Sequence, residues 1–477
     1  MARNRQRRPR DKGGSRARQR DLLAQRAAQV ALPAQVDVCV VGGGASGLVA
    51  ATCAAEAGAS VVLVERDLDL GRSILATGNG RCNFCNVDLD LRRYRHPDFV
   101  GATFGERPLD EILAFWRDCG LRWSLEGDRL YPLSRRAASV RQVLLARARR
   151  SGALLAPGRA VTSCRRVRDG FDLVFTCDDA LAARGVAAGS LHARRVVWAV
   201  GGTRALGAGG GAPAGAGRPG APAEADAPLA DLGTAAAGLA DLGTAAAPLA
   251  DLGLPILRPH PVLCPVACKD DPLLALDGRR FSGAVSLIPA GRRFPDWRER
   301  GEVMLRGYGL SGIVVFDLSR RVQPGDTVGL DLAPDLSPSE LRLLVDPRAR
   351  GSFQAGCLDG VLDPDIAALL EELAQKDPIR LTGLVKDYRL EATGLAETGH
   401  AQVMAGGLDV AAFDPQTLES QQIPGFFACG EALDVDADCG GFNLAWAWKS
   451  GLAAGVAAGG AAADAGTDAG TGTRSGH

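Results

Sequence analysis

A chain of 477 residues with 46% apolar side chains is long enough to bury more than one core, so two or three lobes are expected. Its 55 basic and 55 acidic residues cancel to a formal net charge of +0, which excludes a global field that would draw the molecule to nucleic acid or to an anionic membrane. The 12 cysteines lack the density and regular spacing of a secreted disulfide framework, so reduced thiols in a cytoplasmic protein are expected.

In chain order, residues 1–33 begin MARNRQRRPRDKGGSRARQRDLLAQRAAQ, rich in Arg and poor in apolar residues, and are expected to be a disordered basic arm. No apolar h-region of a signal peptide follows the basic start. A buried strand is predicted over Val36 to Val41, a helix of small residues over Ala45 to Ala57, and a second strand over Val61 to Glu65. The run from Val38 to Val64 has the length of a membrane span. Its glycines and Glu56 argue against one, and no membrane association is expected. An amphipathic helix follows at Arg135 to Arg150, and a strand at Arg194 to Gly202 closes the first part of the domain, 34–202.

Residues 203–254 collapse to Ala, Gly, Pro and Asp, with LADLGTAAA at Leu229 and Leu239 and LADLG again at Leu249. So short a period with so few large side chains cannot stack into a solenoid, so a flexible insertion is expected, with the third copy the original. Residues 255–396 mix strand runs such as VMLRGYGLSGIVVFDL with helices such as DPDIAALLEELAQ, as an inserted substrate-side domain would. Residues 397–460 return to the first domain through a strand, a polar turn and a helix in FFACGEALDVDADCGGFNLAWAWKSGLAAG, and 461–477 are expected to be a disordered tail.

The chemistry begins at V-V-G-G-G-A-S-G-L. Gly42, Gly44 and Gly47 stand in G-x-G-x-x-G order directly after a strand, Ala45 and Ser46 open a helix, and Glu65 with Arg66 ends the next strand. The first glycine permits a tight turn, the second lets backbone approach a pyrophosphate, and the third packs helix on sheet, with the acid placed for ribose hydroxyls. Far along the chain, Gly430 and Glu431 put an acid after another strand, and Gly440, Gly441 and Asn443 open the last helix. This resembles two-domain flavoproteins of the glutathione-reductase type, in which a late acid holds the ribityl chain and the next helix N-terminus faces the isoalloxazine and favours the negative charge gained on reduction; the resemblance makes FAD the expected tightly held cofactor. GAGGGA at Gly207 to Ala212 lacks a following helix and acidic strand end, so NAD(P)H is expected only as a transient co-substrate.

GRSILATGNGRCNFCN contains Cys82-x-x-Cys85, which on residue types alone is open to a zinc, a redox or a cofactor-wrapping reading. Zinc would need two more ligands. The nearest pair, Cys264 and Cys268, has no companion spacing, so no metal is expected. In the third reading Gly78 and Gly80 let backbone approach the flavin, while Arg81 and Asn83 offer hydrogen bonds.

This loop, DRLYPLSRRAASV, GEVMLRGYGLSG, AGGLDVAAFDPQTLES and the FFACGEALDVDADCGGFN block, in this order, closely resemble the signature blocks of a bacterial flavoprotein family. Its members are labelled NAD(P)/FAD-dependent oxidoreductases, aminoacetone oxidase-like enzymes or bile-acid 3-dehydro Δ4,6-reductase-like proteins. The resemblance implies an α/β fold: a split FAD-binding Rossmann-like domain of the glutathione-reductase type, with an inserted β-barrel and a small helical domain. It adds Asp434 to the cofactor set and makes Cys85 a replacement for a usual Thr. Ser73 stands where Lys is usual, Arg306-Gly307 where Thr-His is common, and Ile313 where Pro is common. Only Tyr308 and His400 remain as acid/base candidates, each equally readable as a buried ring or a capping imidazole.

The expected function is hydride transfer through flavin N5, from NAD(P)H or an oxidisable small molecule to an electron-poor acceptor. A small-molecule substrate and no nucleic-acid partner are expected. The alternatives are an RNA-modifying flavoprotein that uses the basic arm, a disulfide reductase using Cys82 and Cys85, and an FAD-binding protein without turnover.

Overall fold

The computed structural model describes residues 12–202, 247–346 and 356–467. It divides into two units, one of residues up to 202 with 247–259 and 406–467, the other of 260–346 with 356–405. The domain boundaries expected at 255 and 396 therefore fall at 260 and 405.

The first unit is built on a seven-stranded sheet in which Leu154–Pro157, Val61–Glu65, Gln35–Val41 and Gly189–Trp198 lie side by side and parallel. Phe426–Ala428 joins Gly189–Trp198 in parallel from the far end of the chain, and the antiparallel pair Arg159–Val167 and Gly170–Cys177 completes the sheet. Central parallel strands are covered on both faces, which is why Val38, Cys39 and Val40 in one strand and Val62, Leu63 and Val64 in the next are consecutive buried apolar residues.

The helix Ala45–Glu56 is buried along nearly its whole length because another helix, Phe442–Thr467, lies almost in contact with its backbone. A Cβ on Gly451, Gly455 or Gly459 would sit 2.6, 2.5 or 2.7 Å from the carbonyl oxygens of Ser46, Ala50 and Ala54. The two four-residue spacings match, so a stripe of glycine on one helix meets a stripe of small residues on the other.

Two expectations about the ends of the chain are corrected. Lys12–Ala28 is a helix rather than a disordered arm: Ala24 and Ala27 are buried against Leu68 and Leu181, and Arg20 reaches Asp178 at 2.8 Å. Three-residue spacing of small side chains in an Arg-rich segment was enough to seat it. The last helix runs to Thr467, past the expected start of the tail at 461, because its small-residue pattern does not stop there. Residues 1–11, most of the repeated insertion (203–246) and 468–477 lie outside the described residues. The third LADLG copy is described, and its Leu249, with Leu254 just after it, belongs to the core.

In the second unit six antiparallel strands close into a barrel, in the order Val266–Cys268, Gly309–Ser311, Trp297–Arg306, Arg280–Ile288, Thr327–Asp331 and Tyr388–Leu395. Tyr388–Leu395 shows strict alternation, with Tyr388, Leu390 and Ala392 turned inward. Helices Pro338–Val345, Pro364–Ala374 and Pro378–Lys386 add Leu341, Ile366 and Leu381 to the same core. Each begins with Pro after a capping Ser337, Asp363 or Asp377 whose side chain accepts from a helix amide. Ile313–Ser319, expected as strand from its β-branched run, is a helix: Gly312, at φ 114°, turns the chain out of the barrel.

Candidate functional site

The strand Gln35–Val41 ends in a turn held by Gly42, whose amide donates to the Val64 carbonyl at 2.8 Å. Gly42 has φ 109°, and a Cβ there would lie 2.3 Å from the Ala199 oxygen; on Gly47 it would lie 2.0 Å from the Gly42 oxygen. Gly44 differs, since the nearest atom to its added Cβ is Ser73 Oγ at 3.5 Å, so protein packing leaves that face open. Ala45 and Ser46 form the first turn of the following helix. At the end of the second strand Glu65 accepts from the Gly43 amide at 2.6 Å and the Asp67 amide at 2.8 Å. Burial raises its carboxyl above the usual range, and the two amides offset only part of that. Arg66 is exposed beside it.

The late half of the fingerprint meets this turn. A Cβ on Gly430 would lie 2.3 Å from Ser46 Oγ, and the Gly430 amide donates to Ser450 Oγ at 2.9 Å. Glu431 Oε2 accepts from the Gly202 amide at 3.4 Å and borders a pocket lined by Trp198, Leu249, Ile256, Leu408 and Ala432. Both parts of the split domain thus supply the same cleft.

The loop that follows Gly71 turns through Gly78 and Gly80, at φ 54° and 82°, and then packs on the start of the last helix. Asn86 Nδ2 donates to the Gly440 carbonyl at 3.1 Å, and Trp448 Nε1 to that of Phe84 at 2.7 Å. Asn83 Oδ1 is buried with no hydrogen-bond partner, and a Cβ on Gly441 would come within 2.9 Å of it. Arg81 instead points to the rim, where it pairs with Glu126 at 2.8 Å. Cys82 and Cys85 are fully buried, and burial pushes their thiols up to about 11 and about 12. Neither is poised as a thiolate, which disfavours the redox reading. Cys85→Thr is expected to keep the loop intact, because a hydroxyl can replace the thiol that donates to the Asn86 carbonyl at 3.3 Å. Thiol titration of the native wild-type protein with an aromatic disulfide should leave both cysteines unreacted; rapid labelling of either would overturn this account.

Asp434 and Asn443, expected to face the cofactor, are engaged within the protein. Asn443 clasps Ala437, accepting from its amide at 2.9 Å and donating to its carbonyl at 2.7 Å. Asp434 takes the Gly406 amide at 2.7 Å and His96 Nε2 at 2.9 Å. It belongs to a ladder not foreseen from sequence, in which Asp436 pairs with Arg95 at 2.7 Å and Asp438 with Arg93 at 3.4 Å. Tyr94 and Ala437 form an antiparallel bridge at its centre. The signal was present as alternation: Arg93-x-Arg95 and Asp434-x-Asp436-x-Asp438 both repeat every second residue, as facing extended segments do. Burial opposes ionisation of Asp434, but the His96 hydrogen bond and the Arg95 charge outweigh it and hold the carboxyl below its usual range.

Tyr308 and His400 both lie in the second unit. The Tyr308 hydroxyl is buried, and burial with the neighbouring Glu397 carboxylate pushes its ionisation upward; its ring carries Arg306 at 5.1 Å. His400 sits exposed in the short turn Thr398–His400.

The first unit fits an adenine dinucleotide: an open glycine face at Gly44, an acid ending the second strand, an orphaned acceptor at Asn83, and a long helix opening after Gly441. Comparison with known proteins agrees with this class of fold. The chain is 29% identical over 440 residues, 87% of its length and 97% of the other's, to a 3-dehydro-bile acid delta(4,6)-reductase of Clostridium scindens. It is 24% identical over 436 residues, again 87% of its length and 96% of the other's, to a ribosomal RNA dihydrouridine synthase of Escherichia coli. One of the same name from Haemophilus influenzae is 22% identical over 433 residues, 87% of this chain and 96% of that protein. Residues 36–457 match the family described as HI0933-like protein Rossmann domain, and the chain belongs to that family.

Proposed function

We propose that this chain is an FAD-dependent oxidoreductase that takes hydride from NAD(P)H and reduces an electron-poor double bond of a small molecule. The observation that carries the reading is the meeting of the two halves of the fingerprint, with Gly430 against Ser46 and the acids Glu65 and Glu431 in one unit. When bound, FAD supplies the two-electron carrier between nicotinamide and substrate. The chain's residues do the rest. Gly44 leaves room for a pyrophosphate, Glu65 offers its remaining lone pairs to ribose hydroxyls, and the helix opening at Phe442 favours an anion at its N-terminus. The relative from Clostridium scindens supports the reductase direction, since it matches across 97% of its length.

Anaerobic titration of the purified protein with NADH and with NADPH tests this reading. Bleaching of a bound yellow chromophore is expected; a colourless protein that gains no flavin absorbance on addition of FAD overturns it. Glu65→Ala is expected to weaken FAD by about 1.5–3 kcal/mol for each charge-assisted hydrogen bond lost. Equilibrium dialysis checks this, and an unchanged affinity removes Glu65 from the site.

A second reading is reduction of a base in ribosomal RNA, favoured by the two relatives named ribosomal RNA dihydrouridine synthase. It predicts that ribosomal RNA incubated with the enzyme and NAD(P)H gains dihydrouridine. The small-molecule reading predicts no gain.

A further inference from the structure

A basic cluster beside the cofactor loop is used by nothing described above. A small antiparallel sheet of Cys85–Asn86, Arg129–Pro132 and Trp123–Glu126 presents Tyr131 on its surface. Arg81 stacks over the Tyr131 ring at 4.7 Å and Arg135 at 5.2 Å. Both guanidiniums pair with one carboxylate, Glu126, with Arg81 at 2.8 Å. The side chains remain 48%, 35% and 43% exposed, so the cluster opens to solvent. Arg136 follows, exposed and without an ion partner among the described residues. In a chain of net charge +0, two arginines therefore share one acid at one point on the surface, with a third next to them in sequence.

That arrangement suits a displaceable internal anion. Exposed ion pairs are weak, so Glu126 holds the two arginines loosely. The aromatic stack holds the two guanidiniums over one ring. Forks so held bind phosphate through paired, charge-assisted hydrogen bonds, more strongly than they bind a carboxylate in water. Arg81 precedes Asn83 by two residues, which puts the cluster on the loop that approaches the proposed flavin half.

We propose that Glu126 is a built-in stand-in for a phosphate monoester, and that Arg81, Arg135 and Arg136 receive the 2′-phosphate of NADPH and so favour NADPH over NADH. This rests on the reading that a nicotinamide reduces the flavin. The chemistry is that of a dianionic phosphate on ribose, which 2′,5′-ADP carries and 5′-AMP lacks.

The test is calorimetric binding of 2′,5′-ADP and of 5′-AMP to the full-length flavin-loaded protein. 2′,5′-ADP is expected to bind about tenfold or more tightly than 5′-AMP, a difference that Arg135→Gln should erase. Glu126→Gln should tighten 2′,5′-ADP, because the internal competitor is gone. The two variants move affinity in opposite directions, so a general loss of structure cannot imitate the result; flavin content and melting temperature are measured on both. Equal binding of the two nucleotides, or no change in either variant, overturns the proposal. So does an oligoribonucleotide that binds with dependence on Arg135 while 2′,5′-ADP does not, which would assign the cluster to RNA. Should neither nicotinamide reduce the flavin while 2′,5′-ADP binds as expected, the electron-donor reading fails and the phosphate site stands.

Discussion

Gly47→Val is expected to give a protein that neither folds stably nor retains flavin, whereas Gly44→Ala folds normally and loses flavin alone. At Gly47 the added carbon would sit 2.0 Å from the Gly42 carbonyl oxygen, a backbone atom that cannot rotate away. Relief requires moving the turn, and the turn is tied to the second strand by the Gly42 amide on Val64. A cost of about 3 kcal/mol or more is expected from such overpacking. At Gly44 the same carbon meets nothing closer than 3.5 Å, so the apoprotein should change by less than about 1 kcal/mol. Its cost falls on the ligand, whose pyrophosphate needs that space. Urea unfolding of the apoproteins, read beside FAD affinity, separates the two. A stable Gly47→Val or a flavin-replete Gly44→Ala would contradict these assignments.

The second large effect is expected at Asp434. Asp434→Ala removes the partner of His96 and the acceptor of the Gly406 amide from a position 1% exposed. Removing one member of a buried charged network typically costs about 3–5 kcal/mol, since the groups left behind cannot reach water. The pH dependence has a definite sign. The folded-state pKa of Asp434 lies below its ordinary 3.8, so its stabilisation is complete above that value and is lost as pH falls through the folded pKa. Wild type and Asp434→Asn should therefore differ most near neutrality and converge in acid below about pH 4. Thermal melts from neutral pH downward check this; a difference that grows in acid would refute it.

Where function depends on local spacing, the sequence was informative. Gly42, Gly44 and Gly47 followed a strand, and Glu65 ended the next, because a turn, a helix start and a strand end are each specified within a few residues. The late Gly430-Glu431 could be paired with them only through resemblance, and the parallel pairing of Phe426–Ala428 with Gly189–Trp198 explains why: the sheet, not the sequence, makes them neighbours. The ladder of Arg93, Arg95 and His96 against three aspartates joins segments more than 300 positions apart, so residue types alone did not expose it. The bonds of Asn443 to Ala437 were not legible for a related reason. An amide side chain at a helix start suits a ligand or a turn equally well, and only the position of Ala437 decides. Ile313-Val314-Val315 looked like strand because β-branched residues favour sheet, yet burial of one helical face overrode that preference.

The glycine stripe at Gly451, Gly455 and Gly459 also imposes an order on biosynthesis. The helix that carries the dinucleotide turn, Ala45–Glu56, is made before any of its lid, Phe442–Thr467, which follows every strand of the sheet. Until then the close-packed face at Ser46, Ala50 and Ala54 is bare. Cofactor capture must wait for that lid, and a chain cut short before residue 442 has every strand of its sheet but no helix to close the cleft.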